Sequence, residues 1–524
     1  MLRLVISICF LGFLCGSVAG RELSEQQIDE TVEKAMKAFQ VPGVAVGIVK
    51  DGETVLLKGY GVRSIQSAER VDVRTVFGIA SLSKAFTCAA IAMLVDDGKL
   101  AWSDRVVDHL PWFQLYDPYV TREFQIVDLV THRSGLPLGA GDLMMFPKSD
   151  FQKREILGNL KFLKPSSSFR TKFDYDNLLY LVAGEIIAEI SGKSWSDFVE
   201  SRLLGPLGMR DSAGTFERLS SKANVISPHA LVDGQLATID RFTMDMLGPA
   251  GGIYSSVTDM AKWIHMLLAD GTYGSEGDQR LLSEEEHWNL FQIKTLLPAS
   301  KKQFQERGTF VRGYALGWFV SREFGFLKIM HTGGLPGNVC RLTLIPELNL
   351  GVIVLLNQES GMAMHAIPDQ IIRAYLGLEW EDQVEKRQNM RAERKKKADA
   401  IEHEVEMALS KATSELPNWS ESFEGTYEDD WYGQVFVVKQ EGGDWLMRFS
   451  RTPQLTGKLS FYKGTTFVVR WNDRSLHADA FVLAKLDAHA EVVSLNMKAI
   501  SPLTDFSYDF RHLELKKIAS GSDH

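Results

Sequence analysis

The pattern of hydrophobic and polar residues predicts a strand hairpin and then helices in the first half of the chain. Val44–Val49 and Thr54–Lys58 have the composition of two strands, and Asp51-Gly52 between them is a strong hairpin signal. Apolar residues recur at helical spacing from Leu82, and this helix should stop at Gly98, a residue suited to a left-handed cap. Similar patterns predict two more helices, over Asn177–Ile190 and Ser256–Gly271.

Strand signals return in the later part of the chain. Four runs alternate or are continuously apolar: Ala315–Arg322, Phe326–His331, Cys340–Ile345 and Gly351–Asn357. Because strands lie at both ends of this region and helices lie between them, we expect one sheet of the α+β class. In that sheet the N-terminal hairpin would pair with the late strands.

The composition changes again after residue 380. Residues 381–411 carry eight acidic and eight basic side chains, and opposite charges recur at helical spacing, which predicts a charged connecting helix within 381–416. Short strand-like runs follow and predict a small all-β domain over 417–518: Gln434–Lys439, Trp445–Phe449, Thr466–Trp471 and Ala480–Leu483. A tail of residues 519–524 completes the chain.

The first twenty residues have the composition of a secretory signal. Arg3 gives a positive start, the run from Leu4 to Cys15 is apolar, and Ser17-Val18-Ala19 supplies the small residues that a signal peptidase needs. A buried N-terminal helix is the alternative, but the composition favours a cleaved signal over residues 1–20. We therefore expect a secreted or extracellular protein, periplasmic if the source is bacterial.

Overall composition and charge narrow the class of protein. The chain has 524 residues, 45% hydrophobic and 24% charged, as expected of an ordinary globular protein with several domains. A formal net charge of −9 argues against nucleic acid as the main partner, because phosphate binding needs concentrated positive charge. No stretch after the signal is long and apolar enough to span a bilayer. Oligomeric state is left open.

Three single features add smaller expectations. Cleavage of the signal would leave Cys88 and Cys340, and both one disulfide and two buried free thiols remain open. Asn418 begins the pattern Asn-Trp-Ser, a glycosylation acceptor only if the protein passes through a eukaryotic secretory route. His365, His403 and His477 have no metal-ligand spacing around them, and we expect neither metal nor cofactor.

Ser81 and Lys84 are the first candidates for chemistry. A serine at the first turn of a helix lies beside free backbone N–H groups and the positive end of the helix dipole, which stabilise a developing oxyanion. A lysine three residues later shares its helix face, so its amine can approach the hydroxyl. Serine needs such a base to become a nucleophile. Taken alone, the same pair is typical of a helix cap followed by a surface lysine.

Two further sets of polar residues lie at the ends of predicted elements. Tyr175 and Asn177 lead into an apolar helix. A tyrosine among ammonium groups loses its proton more easily, and an asparagine offers a donor and an acceptor to an amide or ester. His331-Thr332-Gly333-Gly334 ends a predicted strand, where glycine allows close approach of an acyl carbonyl. By itself, the first set could be a buried aromatic residue followed by a helix cap. The second set by itself could be a simple turn.

Taken together, Ser-x-x-Lys, Tyr-x-Asn and His-Thr-Gly in this order resemble the penicillin-binding protein and class C β-lactamase-like serine hydrolase family. The resemblance covers about Leu23–Leu378, and four more stretches agree with it: Leu129–Pro137, Pro206–Met209, Pro249–Ser255 and Tyr314–Trp318. It implies a hydrolase domain over 21–380, with an antiparallel sheet flanked by helices beside an all-helical region. The tail domain, ending in Phe506–Phe510, looks like a β-domain appended to such enzymes.

The resemblance also implies a role for each candidate residue. Ser81 would be the acylated nucleophile, and Lys84 and Tyr175 would share the proton transfers. Asn177 would contact the substrate amide. The backbone N–H groups of Ser81 and Gly334 would form the oxyanion hole, and the cleft would be lined by His331, Thr332 and Gly333.

One departure from class C β-lactamases affects the expected substrate. They usually carry Lys-Thr-Gly on this strand, whereas here His331 takes the place of the lysine. Histidine is largely neutral at pH 7, so attraction for a substrate carboxylate is weaker. We therefore expect acyl transfer on a small peptide or ester and not efficient β-lactam hydrolysis. The alternative is a catalytically silent secreted binding or extracellular-matrix protein that retains the fold.

Overall fold

The computed structural model describes residues 23–274, 277–411, 418–441 and 444–518. The predicted signal segment 1–20 and the tail 519–524 lie outside these residues. In the described part of the chain, none of the helices has a stretch apolar and long enough to cross a membrane.

The central strands of the N-terminal domain come from both ends of its sequence, as predicted. The strands up to residue 356 are β1 (Gly43–Lys50), β2 (Glu53–Gly61), β3 (Val76–Gly78), β4 (His229–Val232), β5 (Gln235–Thr238), β6 (Tyr254–Ser256), β7 (Thr272–Tyr273), β8 (Gln279–Arg280), β9 (Thr295–Leu296), β10 (Arg312–Tyr314), β11 (Phe319–Glu323), β12 (Phe326–Leu335), β13 (Asn338–Ile345) and β14 (Leu350–Leu356). The main sheet has the antiparallel order β2-β1-β14-β13-β12-β11-β10-β9. The N-terminal hairpin therefore pairs directly with the last strand, since Val44 lies opposite Leu356.

Helices cover both faces of this sheet. They are α1 (Glu25–Phe39), α2 (Ser83–Asp96), α3 (Val106–His109), α4 (Pro118–Glu123), α5 (Ile126–Leu129), α6 (Lys153–Asn159), α7 (Leu178–Ser191), α8 (Trp195–Val199), α9 (Val257–Leu268), α10 (Glu284–Asn289), α11 (Lys301–Arg307), α12 (Gly361–Tyr375) and α13 (Gln383–Lys411). Helices α1 and α12 share one apolar cluster with Val44, Val46 and Ile48 of β1. The alternate residue Ala45 belongs to the larger cluster that contains α2, α7 and α9. Burial on both faces explains why β1 and β14 are almost continuously apolar.

The predicted helices are confirmed, with boundaries shifted by a few residues. Helix α7 ends at Gly192, whose φ of 68° supplies the expected left-handed cap. Ser256 caps α9 by accepting a hydrogen bond from the backbone N–H of Asp259. The predicted strand Ala315–Arg322 is wrong at its start, because the chain turns at Gly317 with a φ of 81° and separates β10 from β11. A Cβ at Gly317 would lie 2.8 Å from Ala85 Cα, so this turn packs directly on α2.

The C-terminal domain is all-β, as predicted, and its strands close into an antiparallel barrel. They are β15 (Gly425–Asp429), β16 (Gly433–Lys439), β17 (Trp445–Phe449), β18 (Thr456–Lys463), β19 (Thr466–Trp471), β20 (Ala480–Leu486), β21 (Val492–Ala499) and β22 (Leu515–Ile518). Alternate residues point inward, and the interior is aromatic: Phe423 stacks on Phe467 with ring centroids 4.2 Å apart.

The charged helix and one ion-pair cluster join the two domains. Helix α13 contacts α1 and α12, and its buried Val405 packs against residues of β18 and β19. On another side of the barrel, Arg451 pairs with Asp150 and with Glu155 of α6. The barrel is therefore fixed against the N-terminal domain at two separate places.

Candidate active site

Ser81 lies in a tight turn that two short strands hold in place. The turn, Ala80–Leu82, is a single 3₁₀ turn directly before α2. Strand β3 pairs with β6, and the backbone N–H of Ile79 donates to the carbonyl oxygen of Ile253 at 2.9 Å. Ala80 has a φ of 47°, a left-handed conformation that costs a residue with a Cβ about 1–2 kcal/mol. This strained residue directs the partly exposed Ser81 to the start of α2.

The amine of Lys84 connects three elements around the Ser81 hydroxyl. Lys84 Nζ lies 3.1 Å from Ser81 Oγ, 2.8 Å from Asn177 Oδ1 and 2.8 Å from the carbonyl oxygen of Ala250. Its side chain is fully buried. Burial lowers the pKa of Lys84 to about 7, although the carboxylates of Asp142 and Asp176 oppose that shift. Lys84 is therefore a lysine that can be neutral near neutral pH and accept a proton.

Asn177 is oriented by a buried carboxyl group that the sequence did not single out. Asn177 Nδ2 donates to Asp142 Oδ2 at 2.9 Å, so the amide oxygen is turned toward Lys84. Asp142 is fully buried, and this burial raises the pKa of its carboxyl well above its usual value. It follows Gly139-Ala140-Gly141 and begins the short 3₁₀ turn Asp142–Met144, where no periodic pattern marks a functional residue. The contact of the Ala250 carbonyl oxygen with Lys84 could not be predicted either, because side-chain patterns do not show where a backbone oxygen points.

Tyr175 lies at the same site, but the pKa of its phenol is shifted in the direction opposite to the one expected. The centre of the Tyr175 ring lies 4.8 Å from Lys84 Nζ. Burial raises the pKa of the Tyr175 phenol, while the interaction with the Ser81 side chain works in the opposite direction. The expectation from the sequence that the phenol loses its proton more easily is not met, because this environment favours the neutral form. His132 stacks on Tyr175 with centroids 4.2 Å apart and accepts the backbone N–H of Asp176, so it positions this segment.

His331 is buried close to Tyr175 and is held in a neutral state. Its Nε2 lies 3.1 Å from the hydroxyl of Tyr314, and its Nδ1 lies 2.6 Å from the carbonyl oxygen of Thr332. These partners suit the tautomer that carries its proton on Nδ1. Burial, with Lys84 nearby, lowers the pKa of His331 to about 3. The strand alternation points the Thr332 side chain to the other face of β12, so its role in lining the cleft stays a prediction.

The glycines after Thr332 let β12 lie against the serine turn. A Cβ at Gly333 would lie 2.4 Å from the carbonyl oxygen of Ile79 and 3.0 Å from Ala80 Cβ. Gly334 is exposed, and a Cβ there would have only ordinary contact, 3.8 Å from Val339 Cγ1. Close packing therefore requires glycine at residue 333. The backbone role of Gly334 in an oxyanion hole stays a prediction.

The remaining candidates are two cysteines and one glycosylation pattern. Cys88 and Cys340 are both free and buried, which settles the alternative left open by the sequence. Burial raises the pKa of the Cys88 thiol to about 12, so it is not a nucleophile. Asn418 is exposed at the start of the turn Asn418–Phe423, and its glycosylation stays a prediction.

Comparisons with known proteins agree with this architecture. Residues 28–376 match the family described as Beta-lactamase, and residues 411–517 match a domain of unknown function, DUF3471. The chain is 28% identical to Unguisins hydrolase ungD of Aspergillus violaceofuscus over 379 residues, which cover 68% of this chain and 65% of that protein. It is 26% identical to Protein flp of Staphylococcus aureus strain MW2, with 64% of each chain covered. The matches thus span less than two thirds of these relatives.

A structural neighbour shares the fold along nearly the whole chain. The octameric penicillin-binding protein homologue from Pyrococcus abyssi superposes with a TM-score of 0.60 at 22% identity, covering 92% of this chain and 99% of that one. That likeness extends over the sheet, the helices and the barrel. Because the family match alone includes more than half of the residues, with the serine turn and β12 inside it, the chain belongs to the Beta-lactamase family of serine hydrolases.

Proposed function

We propose that the protein is a secreted serine hydrolase that forms an acyl-enzyme on Ser81 with a small peptide or ester. The observation that carries this proposal is the 3.1 Å separation between Ser81 Oγ and the buried amine of Lys84. A base within hydrogen-bond reach whose pKa is about 7 meets both requirements for activating a serine at neutral pH. The name of one relative, Unguisins hydrolase ungD, supports the same reaction class.

The proposed reaction uses Lys84 first as a base and then as a source of the returning proton. Neutral Lys84 takes the Ser81 proton while Oγ bonds to the substrate carbonyl carbon, and the carbonyl π electrons move to its oxygen. The backbone N–H groups of Ser81 and Gly334 would stabilise that oxyanion. When the carbonyl re-forms, the bond to the leaving nitrogen or oxygen breaks, and the proton reaches that atom from Lys84 through the Tyr175 hydroxyl. Water then hydrolyses the acyl-enzyme by the same steps in reverse order.

The charges around the site support a substrate that needs no carboxylate group for binding. His331 is neutral and 2% exposed, so it offers no permanent positive charge where class C β-lactamases carry lysine. The carboxyl groups that interact with Lys84 are those of Asp142 and Asp176. A substrate carboxylate would gain little attraction here. We therefore propose peptides and neutral esters as substrates and expect poor turnover of β-lactams.

An active-site probe tests the proposal directly. Fluorophosphonate reacts with activated serines, so the wild-type protein should be labelled on Ser81, and Ser81→Ala should lose at least about 1,000-fold in ester hydrolysis. Ser220→Ala is a matched control, because Ser220 is exposed and distant in sequence from the site. Folded wild-type protein that neither reacts with the probe nor hydrolyses any ester or peptide would reject the enzyme and favour the binding protein.

Secretion is a separate part of the proposal with its own measurement. The positive start, apolar run and small residues of segment 1–20 support it. Expression in a secreting host followed by intact-mass analysis should give a mature chain that begins near Arg21. Retention of Met1–Gly20 in the mature protein would remove this part of the proposal and leave the hydrolase chemistry unaffected.

A further inference from the structure

A segment of the C-terminal barrel reaches the active site of the hydrolase domain. The segment, Phe506–Asp509, lies between β21 and β22. Ser507 Oγ donates to Asp142 Oδ2 at 2.9 Å, and the ring of Phe506 lies 5.9 Å from that of Tyr175. The β-domain therefore contacts two members of the cluster around Ser81.

The contacting segment is anchored at its C-terminal end, by Asp509 to the loop of Asp142 and by Phe510 to the barrel. Asp509 is fully buried, and its carboxylate accepts the backbone N–H groups of Gly141 at 2.7 Å and Leu143 at 3.2 Å. Phe510 is buried in the barrel interior, 5.9 Å from the Trp471 ring. The loop that carries Asp142 is thus hydrogen-bonded on both sides of that residue. Ser507 is consequently presented to Asp142 by fixed backbone.

Ser507 is the outer member of a hydrogen-bonded chain that ends at the lysine. Asp142 Oδ2 accepts from Ser507 and from Asn177, and Asn177 in turn accepts from Lys84. Asp142 Oδ1 is buried and has no hydrogen-bond partner among the described residues. The orientation of this carboxyl group therefore depends on two donors at one oxygen, and Ser507 is one of them. If either donor is lost, the carboxyl group of Asp142 can rotate, because its buried Oδ1 would then be able to find a hydrogen-bond donor.

We propose that Ser507 is a positioning residue of the active site: its hydroxyl holds the Asp142 carboxyl group that orients Asn177 toward Lys84, so the barrel completes the catalytic centre. This inference rests on the proposed function but concerns a residue outside the matched Beta-lactamase segment. It assigns the appended β-domain a part in the chemistry. Phe506 adds an aromatic wall beside Tyr175.

Because charged groups surround this hydrogen-bonded chain, the role of Ser507 can be measured through the titration of Lys84 as well as through activity. Asp142 is faced by Asp509 and Lys84. The titratable groups that face Lys84 are Asp142, Asp176, the thiol of Cys88, His132, His331, Tyr175 and Tyr180. The Ser507 hydrogen bond lowers the pKa of Asp142 and so favours its ionised form. Ionised Asp142 raises the pKa of Lys84. Loss of the hydroxyl should therefore make Asp142 more neutral and shift the Lys84 titration to lower pH.

The test uses the full chain with Ser507→Ala, Ser507→Thr and the matched barrel control Ser494→Ala. Titration of the Lys84 amine, followed by NMR on protein labelled with ¹⁵N-lysine, should show a pKa below the wild-type value in Ser507→Ala. Ser507→Thr keeps a hydroxyl and should restore it, and Ser494→Ala should not change it. Acylation by an activated ester should fall roughly tenfold in Ser507→Ala alone, as expected when a base is misplaced.

The outcomes separate this inference from the proposed function. An unchanged Lys84 titration in Ser507→Ala would overturn the positioning role, whatever the activity. Lack of acylation in wild-type protein would reject the proposed function, yet the Lys84 titration would still decide the role of Ser507. A titration shift that Ser507→Thr does not reverse would also overturn the inference, because the effect would then come from packing and not from the hydroxyl.

Discussion

At the scale of single residues, the site depends on a buried lysine that forms no ion pair with a carboxylate of the described residues. Lys84 bonds to a hydroxyl, an amide oxygen and a backbone carbonyl, all of them uncharged. Neutral partners compensate an ammonium less than an ion pair does, so burial is free to lower the lysine pKa. Tyr175 and His331 are both held neutral nearby. Among these groups, Lys84 alone is set to exchange a proton near pH 7.

This arrangement predicts the pH dependence of acylation. Because the pKa of Lys84 is lowered to about 7, its basic form is scarce below pH 7 and predominates above it. The acylation rate should rise about tenfold per pH unit below the inflection near pH 7 and level off above it. Stopped-flow or steady-state measurement of kcat/KM with a neutral ester from pH 5 to 9 checks the curve.

A charge-preserving variant provides the control for that profile. Lys84→Arg keeps a hydrogen-bond donor, but a guanidinium stays protonated, so acylation should fall by at least about 1,000-fold at every pH. A profile without an inflection between pH 6 and 8 in the wild-type protein, or substantial activity in Lys84→Arg, would mean that another group is the base.

The sequence predicted the inner members of the site but not its supporting residues. The i, i+3 spacing placed Lys84 beside Ser81, and the Tyr-x-Asn pattern marked Tyr175 and Asn177, whose side chains do meet the lysine. Asp142 and Ser507 are 365 positions apart and meet only because the barrel docks on the helical region. Neither residue lies in a periodic segment, so hydrophobic patterning carries no information about their contact.

At the scale of elements, the site depends on how closely β12 approaches the serine turn. Gly333 is the point of contact, because the carbonyl oxygen of Ile79 and the sulfur of Cys340 leave no room for a side chain. A Cβ there would lie 2.6 Å from Cys340 Sγ. The strand must therefore move away from α2 if any larger residue takes this place.

Paired glycine variants test this close approach. Gly333→Ala should lower the free energy of unfolding by about 1–3 kcal/mol, the usual cost of overpacking a dense core. Gly334→Ala is the matched variant, since its nearest neighbour would be 3.8 Å away, and its unfolding free energy should change by less than about 1 kcal/mol. Urea unfolding of both variants measures the difference. Equal stability of the two variants would contradict the contact between β12 and the turn.

Most long elements followed from hydrophobic periodicity, and the exceptions have local causes. The hairpin, α2, α7, α9 and the late strands are apolar on a face that packs against the sheet or the helices. The run from Ala315 failed because Gly317 interrupts it, although every neighbouring residue is buried. Short strands such as β9 and β22 contain too few residues to show alternation. Patterns therefore located the sheet but not its edges.

At the scale of the whole molecule, three regions far apart in sequence meet around Ser81. The serine turn and α2 come from the first hundred residues, β12 from the last third of the hydrolase domain, and Phe506–Asp509 from the end of the barrel. Helix α13 and the Arg451 cluster fix the barrel so that this last segment stays in place. Covalent modification of Ser81 should therefore change the hydrogen-exchange rate of the docked barrel segment.

Hydrogen exchange of the covalently labelled enzyme tests that coupling. An acyl or phosphonyl group on Ser81 would fill the space beside Tyr175 and Phe506, and local opening of the barrel segment would then have to break added contacts. Peptides covering 137–144 and 503–512 should exchange several-fold more slowly after labelling by fluorophosphonate, while peptides from α13 (Gln383–Lys411) should be unchanged. Ser81→Ala treated with the same probe controls for reagent effects. Slower exchange at 137–144 without any change at 503–512 would show that the barrel segment does not border the occupied cleft.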